Sequence, residues 1–251
     1  MKKIAIATYG SIGVQVLREV FSIGYSTKEV TIITHDPMAA DNIGFINYLD
    51  YWGVEWFIVK DDMVLLKSIL LTHQVELLLN IAYKYIYRAP VIGMEGIRLI
   101  NMHPGILPYY KGWLSVPWAI FNGEKYVGYT YHYIDEKIDH GDILSSDTLT
   151  VERDSTAFSL HFQLHDMAIS EIEYIIAGLY HPVPQAKGGM YYKRMLPNNG
   201  YIDRLWTDEQ IERFIRAMYF PPHRGALLRT TRGEIEINNF EQYLKVIDEE
   251  I

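Results

Sequence analysis

The chain has 251 residues, 49% hydrophobic, 14% aromatic and 22% charged, which suits one large domain or a domain with a small appendage and argues against a disordered chain. Acidic residues outnumber basic ones 31 to 23, so the formal charge is −8 and a polyanion such as tRNA or DNA is a poor first partner. No cysteine is present, which removes disulfides, thiolate zinc sites, iron–sulfur clusters and cysteine nucleophiles.

Ile4 to Thr8 predicts a first strand ended by Tyr9-Gly10-Ser11, and Val14, Leu17, Val20 and Phe21 then recur at helical spacing until Gly24. Val30–Thr34 predicts a β-branched strand closed by His35-Asp36-Pro37; a weaker helix follows over roughly 41–51, then a strand over 54–59. Asp61 or Asp62 is placed to cap a helix carrying Val64, Leu65, Ile69 and Leu70 on its apolar side. Residues 75–82 predict a strand apolar enough to be covered on both faces. Strand–helix alternation with short connections implies right-handed crossovers and a doubly wound α/β fold. Further on, 96–102 predicts another strand, 123–135 a strand pair, and 154–178 one long helix with Ala157, Leu160, Leu164, Ala168, Ile172 and Ile175 in register. Beyond Pro182 and Pro184 the texture changes to glycine turns, a helix over 208–218 and a hairpin around Leu227-Leu228 and Ile235-Glu236-Ile237. The expected division is therefore a catalytic domain over 1–185 and a small C-terminal α+β subdomain over 186–251.

No run reaches the roughly 18 uncharged apolar residues of a membrane span, and the apolar stretch after Met1-Lys2-Lys3 is too short for a signal peptide. A soluble, cytoplasmic protein is the expectation.

The chemistry concentrates in Asn101-Met102-His103-Pro104-Gly105-Ile106-Leu107-Pro108. Asn101 and His103 sit two apart at the carboxyl end of a predicted parallel strand, so both side chains share one side, at the edge where such sheets bind ligands. An amide donor can hold a developing oxyanion while the imidazole takes a proton, which suits acyl transfer. Asp139, in a loop loosened by Gly141, is the candidate carboxylate to orient or relay for that base. The competing reading makes Asn101 and His103 turn formers and Asp139 an ordinary loop residue.

Asn-x-His-Pro-Gly-x-Leu-Pro, followed 36 residues after His103 by Asp139-x-Gly141, resembles the folate-dependent formyltransferase family, which includes glycinamide ribonucleotide, methionyl-tRNA and sugar N-formyltransferases. The tail, Arg194-x-x-Pro-x-x-Gly-Tyr-Ile-Asp203, is similar to that of sugar N-formyltransferases. The resemblance implies a Rossmann-like domain and a catalytic set of Asn101, His103 and Asp139. It implies 10-formyltetrahydrofolate as donor and no metal. The pterin would lie between the backbone of Ile81, Ala82 and Tyr83 and the 135–139 loop that starts at Asp135, walled by Ile81, Ile106 and Ile134. A homodimer joined through the C-terminal region is implied by the same likeness.

Three acceptors compete. The charge of −8 and the mere 66 residues after the boundary speak against tRNA. The partial glycine loop Tyr9-Gly10-Ser11-Ile12-Gly13 is a weak signal for a ribonucleotide phosphate, although Tyr9 is kept as a substrate-binding candidate. A dideoxy amino sugar on dTDP or GDP, of the kind used in bacterial O-antigen and surface glycans, fits best. It needs cations for the pyrophosphate and aromatics for the base, and Lys111, Lys193, Arg194, Tyr201, Trp206 and Arg224 are the candidates. A formyl-folate hydrolase or a non-catalytic binder is the alternative class. His161 and His165, one helical turn apart, lack a third metal ligand. His132 reads equally as pocket lining or as a buried, hydrogen-bonded histidine. His140 ranks below His103 as base, and the acidic 248–250 end reads as a solvated tail.

Overall fold

Apolar runs and glycine stops set most elements of the computed structural model, which describes residues 2–249; Glu250, in the expected acidic tail, lies outside them. The alternation runs β1 (Ile4–Ala7), α1 (Gly10–Ser22), β2 (Val30–Thr34), α2 (Ile43–Trp52), β3 (Glu55–Ile58), α3 (Met63–Thr72), β4 (Leu77–Ile81) and β5 (Arg98–His103). There follow β6 (Tyr110–Gly112), α4 (Ser115–Asn122), β7 (Tyr126–Tyr133), β8 (Ile143–Thr150), α5 (Ala157–Ile169) and α6 (Ile172–Ala177). The chain then forms β9 (Met190–Tyr192), α7 (Asp208–Met218), β10 (Ala226–Thr230), β11 (Gly233–Ile237) and α8 (Phe240–Asp248).

The main sheet has the order β3-β2-β1-β4-β5-β7-β8. Its first five strands are parallel and β7 is antiparallel to β5, so the fold is the expected doubly wound α/β sheet. Every residue of β1, β2 and β4 is buried, as strands covered on both faces require. The strand order reverses between β1 and β4, and such a reversal opens a crevice at the strands' carboxyl ends.

Packing divides the chain into two units, each built from several segments rather than from the contiguous 1–185 and 186–251 expected. The first takes the described residues up to His103 with Tyr129–Ser146 and His165–Lys187; the second takes Pro104–Gly128, Asp147–Leu164 and the chain from Gly188 on. The change of texture near residue 185 marks only the last of several exchanges, because cores form between segments distant in sequence. The second unit centres on Ile211, Phe214, Ile215 and Met218 of α7, packed with Ala226 and Leu228 of β10, Ile237 of β11 and Tyr243 of α8. A capping box closes the start of α7: Thr207 accepts from the Gln210 N–H, and Gln210 accepts from the Thr207 N–H.

Three local readings are corrected. On α3 the buried residues are Met63, Leu66, Ile69 and Leu70, while Val64 is 71% and Leu65 42% exposed. Asp62 is the cap, its carboxylate accepting from Leu65 N–H, and it starts the helix at Met63; four apolar residues in a row hide that phase from the pattern. Residues 123–135 hold one strand rather than two, because Gly123 (φ 77°) ends α4 in the left-handed region. The helix expected over 154–178 breaks between α5 and α6, where Ser170 Oγ donates to the Met167 carbonyl and competes with the helical ladder.

Candidate active site

β4, β5 and β7 lie side by side in the sheet, and their register puts Asn80, Asn101 and His132 on one rung. Paired residues on neighbouring strands share a face, so three polar side chains meet in an otherwise apolar sheet. The Tyr83 N–H donates to Asn80 Oδ1 (3.2 Å), and Asn80 Nδ2 donates to Asn101 Oδ1 (2.7 Å). Asn101 Nδ2 is 3.0 Å from His132 Nε2, and His132 Nδ1 is 2.8 Å from the Tyr133 carbonyl. Two residues beyond Asn101 on the same face, His103 occupies the last position of β5.

Asp139 reaches this rung from the loop after β7. Its carboxylate spans two imidazoles, Oδ2 at 3.4 Å from His103 Nδ1 and Oδ1 at 3.5 Å from His132 Nε2. All three groups are buried: the side chains of His103, His132 and Asp139 are 5%, 2% and 9% exposed. Asp139 adopts φ 52°, a left-handed conformation that Asp tolerates better than most residues. The loop is held closed by Gly141, whose absent Cβ would stand 2.0 Å from the Tyr133 carbonyl oxygen, and by Gln185, whose amide donates to the carbonyls of Asp139 (3.1 Å) and Gly141 (2.8 Å). His140 turns elsewhere, with Nδ1 3.2 Å from Asp135 Oδ2 and its side chain half exposed.

The remaining candidates distribute as follows. Ile81 is fully buried at the end of β4, Ala82 bends the chain at φ 69°, and Tyr83 is turned inward. The Tyr83 N–H, part of the backbone expected to border the pterin, donates to Asn80, and burial raises the Tyr83 phenol well above the usual range. Ile134 packs against the core of the first unit, and Asp135 accepts from Lys137 N–H as well as facing His140. Tyr9 stacks on His35 (4.3 Å between ring centres), whose other side meets Tyr83 (4.9 Å). Burial first, then the Lys84 ammonium, hold the His35 imidazole down at about 4, and its Nε2 accepts from the Lys84 N–H.

Ile106 and the cationic candidates belong to the second unit. There the Arg194 guanidinium stacks over Trp113 (4.7 Å), next to exposed Lys193, and Lys111 pairs in register with Tyr191 across β6 and β9. Tyr201 carries Arg229 on its face (4.1 Å) and donates to Glu234, and Arg224 is exposed. Trp206 is engaged in packing, 5.1 Å from both Phe121 and Phe214, which accounts for it without a ligand. His161 lies edge-on to Phe220 at 5.2 Å, and among the described residues no group of three or more His, Asp or Glu is placed to hold a metal. Sequence reasoning missed Asn80 and His35; the signal for Asn80 was a lone amide within the apolar run Leu77-Leu78-Leu79-Asn80-Ile81.

An amide N–H, an imidazole and a buried carboxylate at the rim of a doubly wound sheet can together hold the charge a carbonyl oxygen gains and move a proton, the two tasks that acyl transfer requires. Residues 64–173, which hold the whole rung with His103 and Asp139, match the family described as formyl transferase. Among curated relatives, GDP-perosamine N-formyltransferase of Brucella melitensis is 38% identical over 157 residues, covering 61% of each chain. A methionyl-tRNA formyltransferase of Halorhodospira halophila is 31% identical over 64% of this chain and 53% of its own. The alignments thus span less than two thirds of these relatives' length. The fold is also that of the Helicobacter canadensis N-formyltransferase solved with folinic acid and dTDP-3-aminofucose (TM-score 0.78, 22% identity, 95% of this chain and 87% of that one).

Proposed function

We propose that the protein transfers the formyl group of 10-formyltetrahydrofolate to the amine of a nucleotide-linked dideoxy amino sugar. The observation that carries the reading is that Asn101 and Asp139 both meet the buried His132 while Asp139 also faces His103, within the segment that matches the formyl transferase family. The relative at 38% identity is named for a GDP-linked amino sugar, which puts GDP-linked amino sugars first among acceptors. The charge of −8 argues against the tRNA acceptor named for the 31% relative.

In the reaction the amine nitrogen bonds to the formyl carbon while the bond from that carbon to the donor nitrogen breaks. Asn101 offers one amide N–H to the oxygen as it becomes an oxyanion. His103, steadied by Asp139, takes the proton the amine loses and returns it to the departing nitrogen. A dimer, a cytoplasmic location and use of the product in O-antigen or other surface glycans belong to this proposal, resting on family likeness and on substrate chemistry.

The test is an assay of the purified chain with formyl-folate and a panel of GDP- and dTDP-linked amino sugars, read by mass spectrometry of the sugar nucleotide. Formylated product on at least one amino sugar, dependent on Asn101, is the expected result. Formate release without any amine, or formylation of methionyl-tRNA alone, would overturn it.

A further inference from the structure

We infer that Asn80 is a positioning residue that fixes which end of the Asn101 amide faces the reacting centre, by setting the direction of a hydrogen-bond relay across β4, β5 and β7. The inference rests on the formyl-transfer reading and names a residue which that reading did not use.

The direction is dictated from both ends by main-chain groups, which have no choice of role. At one end the Tyr83 N–H can only donate, so the Asn80 atom it meets at 3.2 Å is the amide oxygen. Asn80 must then present its NH2 to Asn101, which must answer with its own oxygen at 2.7 Å. Asn101 is left to present NH2 to His132, and an NH2 group cannot accept, so Nε2 of His132 carries the lone pair. At the other end the Tyr133 carbonyl can only accept, so the His132 proton sits on Nδ1, 2.8 Å away. Both ends give one answer: Tyr83 N–H to Asn80 to Asn101 to His132 to the Tyr133 carbonyl.

Nothing in Asn101 and His132 alone would secure that direction. Asp139 Oδ1 stands 3.5 Å from His132 Nε2 and attracts a proton there. A His132 carrying its proton on Nε2 would have to meet the oxygen of Asn101, turning the amide over. The catalytic strand end would then show a carbonyl lone pair beside His132 where an N–H is required, which repels an oxyanion instead of holding it. Asn80 opposes that turn. It is 7% exposed, so an NH2 facing an NH2 at this rung would leave buried donors unmatched. The other N–H of Asn101 therefore stays on the side where the formyl oxygen gains charge.

The decisive variant is Asn80→Asp, equal in shape but unable to donate. It still accepts from Tyr83, yet it demands NH2 from Asn101 and so reverses the relay. Asn80→Leu removes the preference without reversing it. Nitrogen-15 spectra of the full-length protein labelled at histidine, with His132→Gln to assign the resonance, report the tautomer directly. The wild type is expected to hold the proton on Nδ1, and Asn80→Asp to move it to Nε2. Turnover of formyl transfer should fall about tenfold or more in Asn80→Asp and less in Asn80→Leu, with KM for the amine changed less than about threefold. A wild-type His132 protonated on Nε2, an unchanged tautomer in Asn80→Asp, or full turnover in that variant overturns the inference. The wild-type spectrum needs no variant to fold. Should no amine be formylated, the functional reading fails, and the tautomer experiment still decides the relay.

Discussion

Replacing Asp139 by Asn isolates the charge of the carboxylate from its shape. Asn tolerates the left-handed backbone at φ 52° as well as Asp does, so the loop and its Gln185 clamp should persist. At 3.4 Å and an effective dielectric of about 20, a carboxylate attracts an imidazolium by about 5 kcal/mol before desolvation is counted. A neutral amide keeps a fraction of that as a dipole. The expected loss in kcat is therefore about a hundred- to ten-thousandfold, the range for removing assistance to a general base, equal to about 3–5 kcal/mol. The assay is steady-state formyl transfer from formyl-folate to the preferred amino sugar, with a urea melt to confirm the fold. Asp139→Ala serves as the contrast, since it loses the charge and also places alanine in the left-handed region at a further cost of about 1–2 kcal/mol of stability. A loss of less than about tenfold in the well-folded Asn variant would show that His103 works without its carboxylate.

Gly141→Ala forces a Cβ to within 2.0 Å of the Tyr133 carbonyl oxygen, so the loop must open, lowering stability by about 1–3 kcal/mol and displacing Asp139; unaltered melting and turnover would refute this. His35 supplies a test against pH. Its folded value of about 4 lies below the ordinary 6.5, so between those values the unfolded chain binds a proton that the folded protein refuses. Stability from this group is thus constant above about pH 6.5 and falls as pH drops toward 4, by up to about 3 kcal/mol. Urea melts of wild type and His35→Gln across that window should converge at low pH, and parallel curves would sink the argument. Asn101→Ala should lose at least about a hundredfold in kcat, with the single-turnover rate falling alongside; a near-normal rate would remove it from the oxyanion site.

What the sequence determined by itself were features written into neighbouring residues. Apolar runs, a cap at Asp61 or Asp62 and glycine stops established the order β1 to β5 with its helices. The spacing of two in Asn101-Met102-His103 placed amide and imidazole on one side of a strand. These depend on contacts within a few residues, which is why they could be read. The phase of α3 escaped because Met63-Val64-Leu65-Leu66 offers no contrast, and the two interleaved units escaped because burial is shared between distant segments.

Only the tertiary structure decided how the amide points. Asn80, Asn101 and His132 are 21 and 31 residues apart and become one rung through the registers of β4 with β5 and of β5 with β7. Register is chosen by side-chain packing across the whole sheet, not by local propensity, so a buried asparagine in an apolar strand carries no meaning until its neighbours are known.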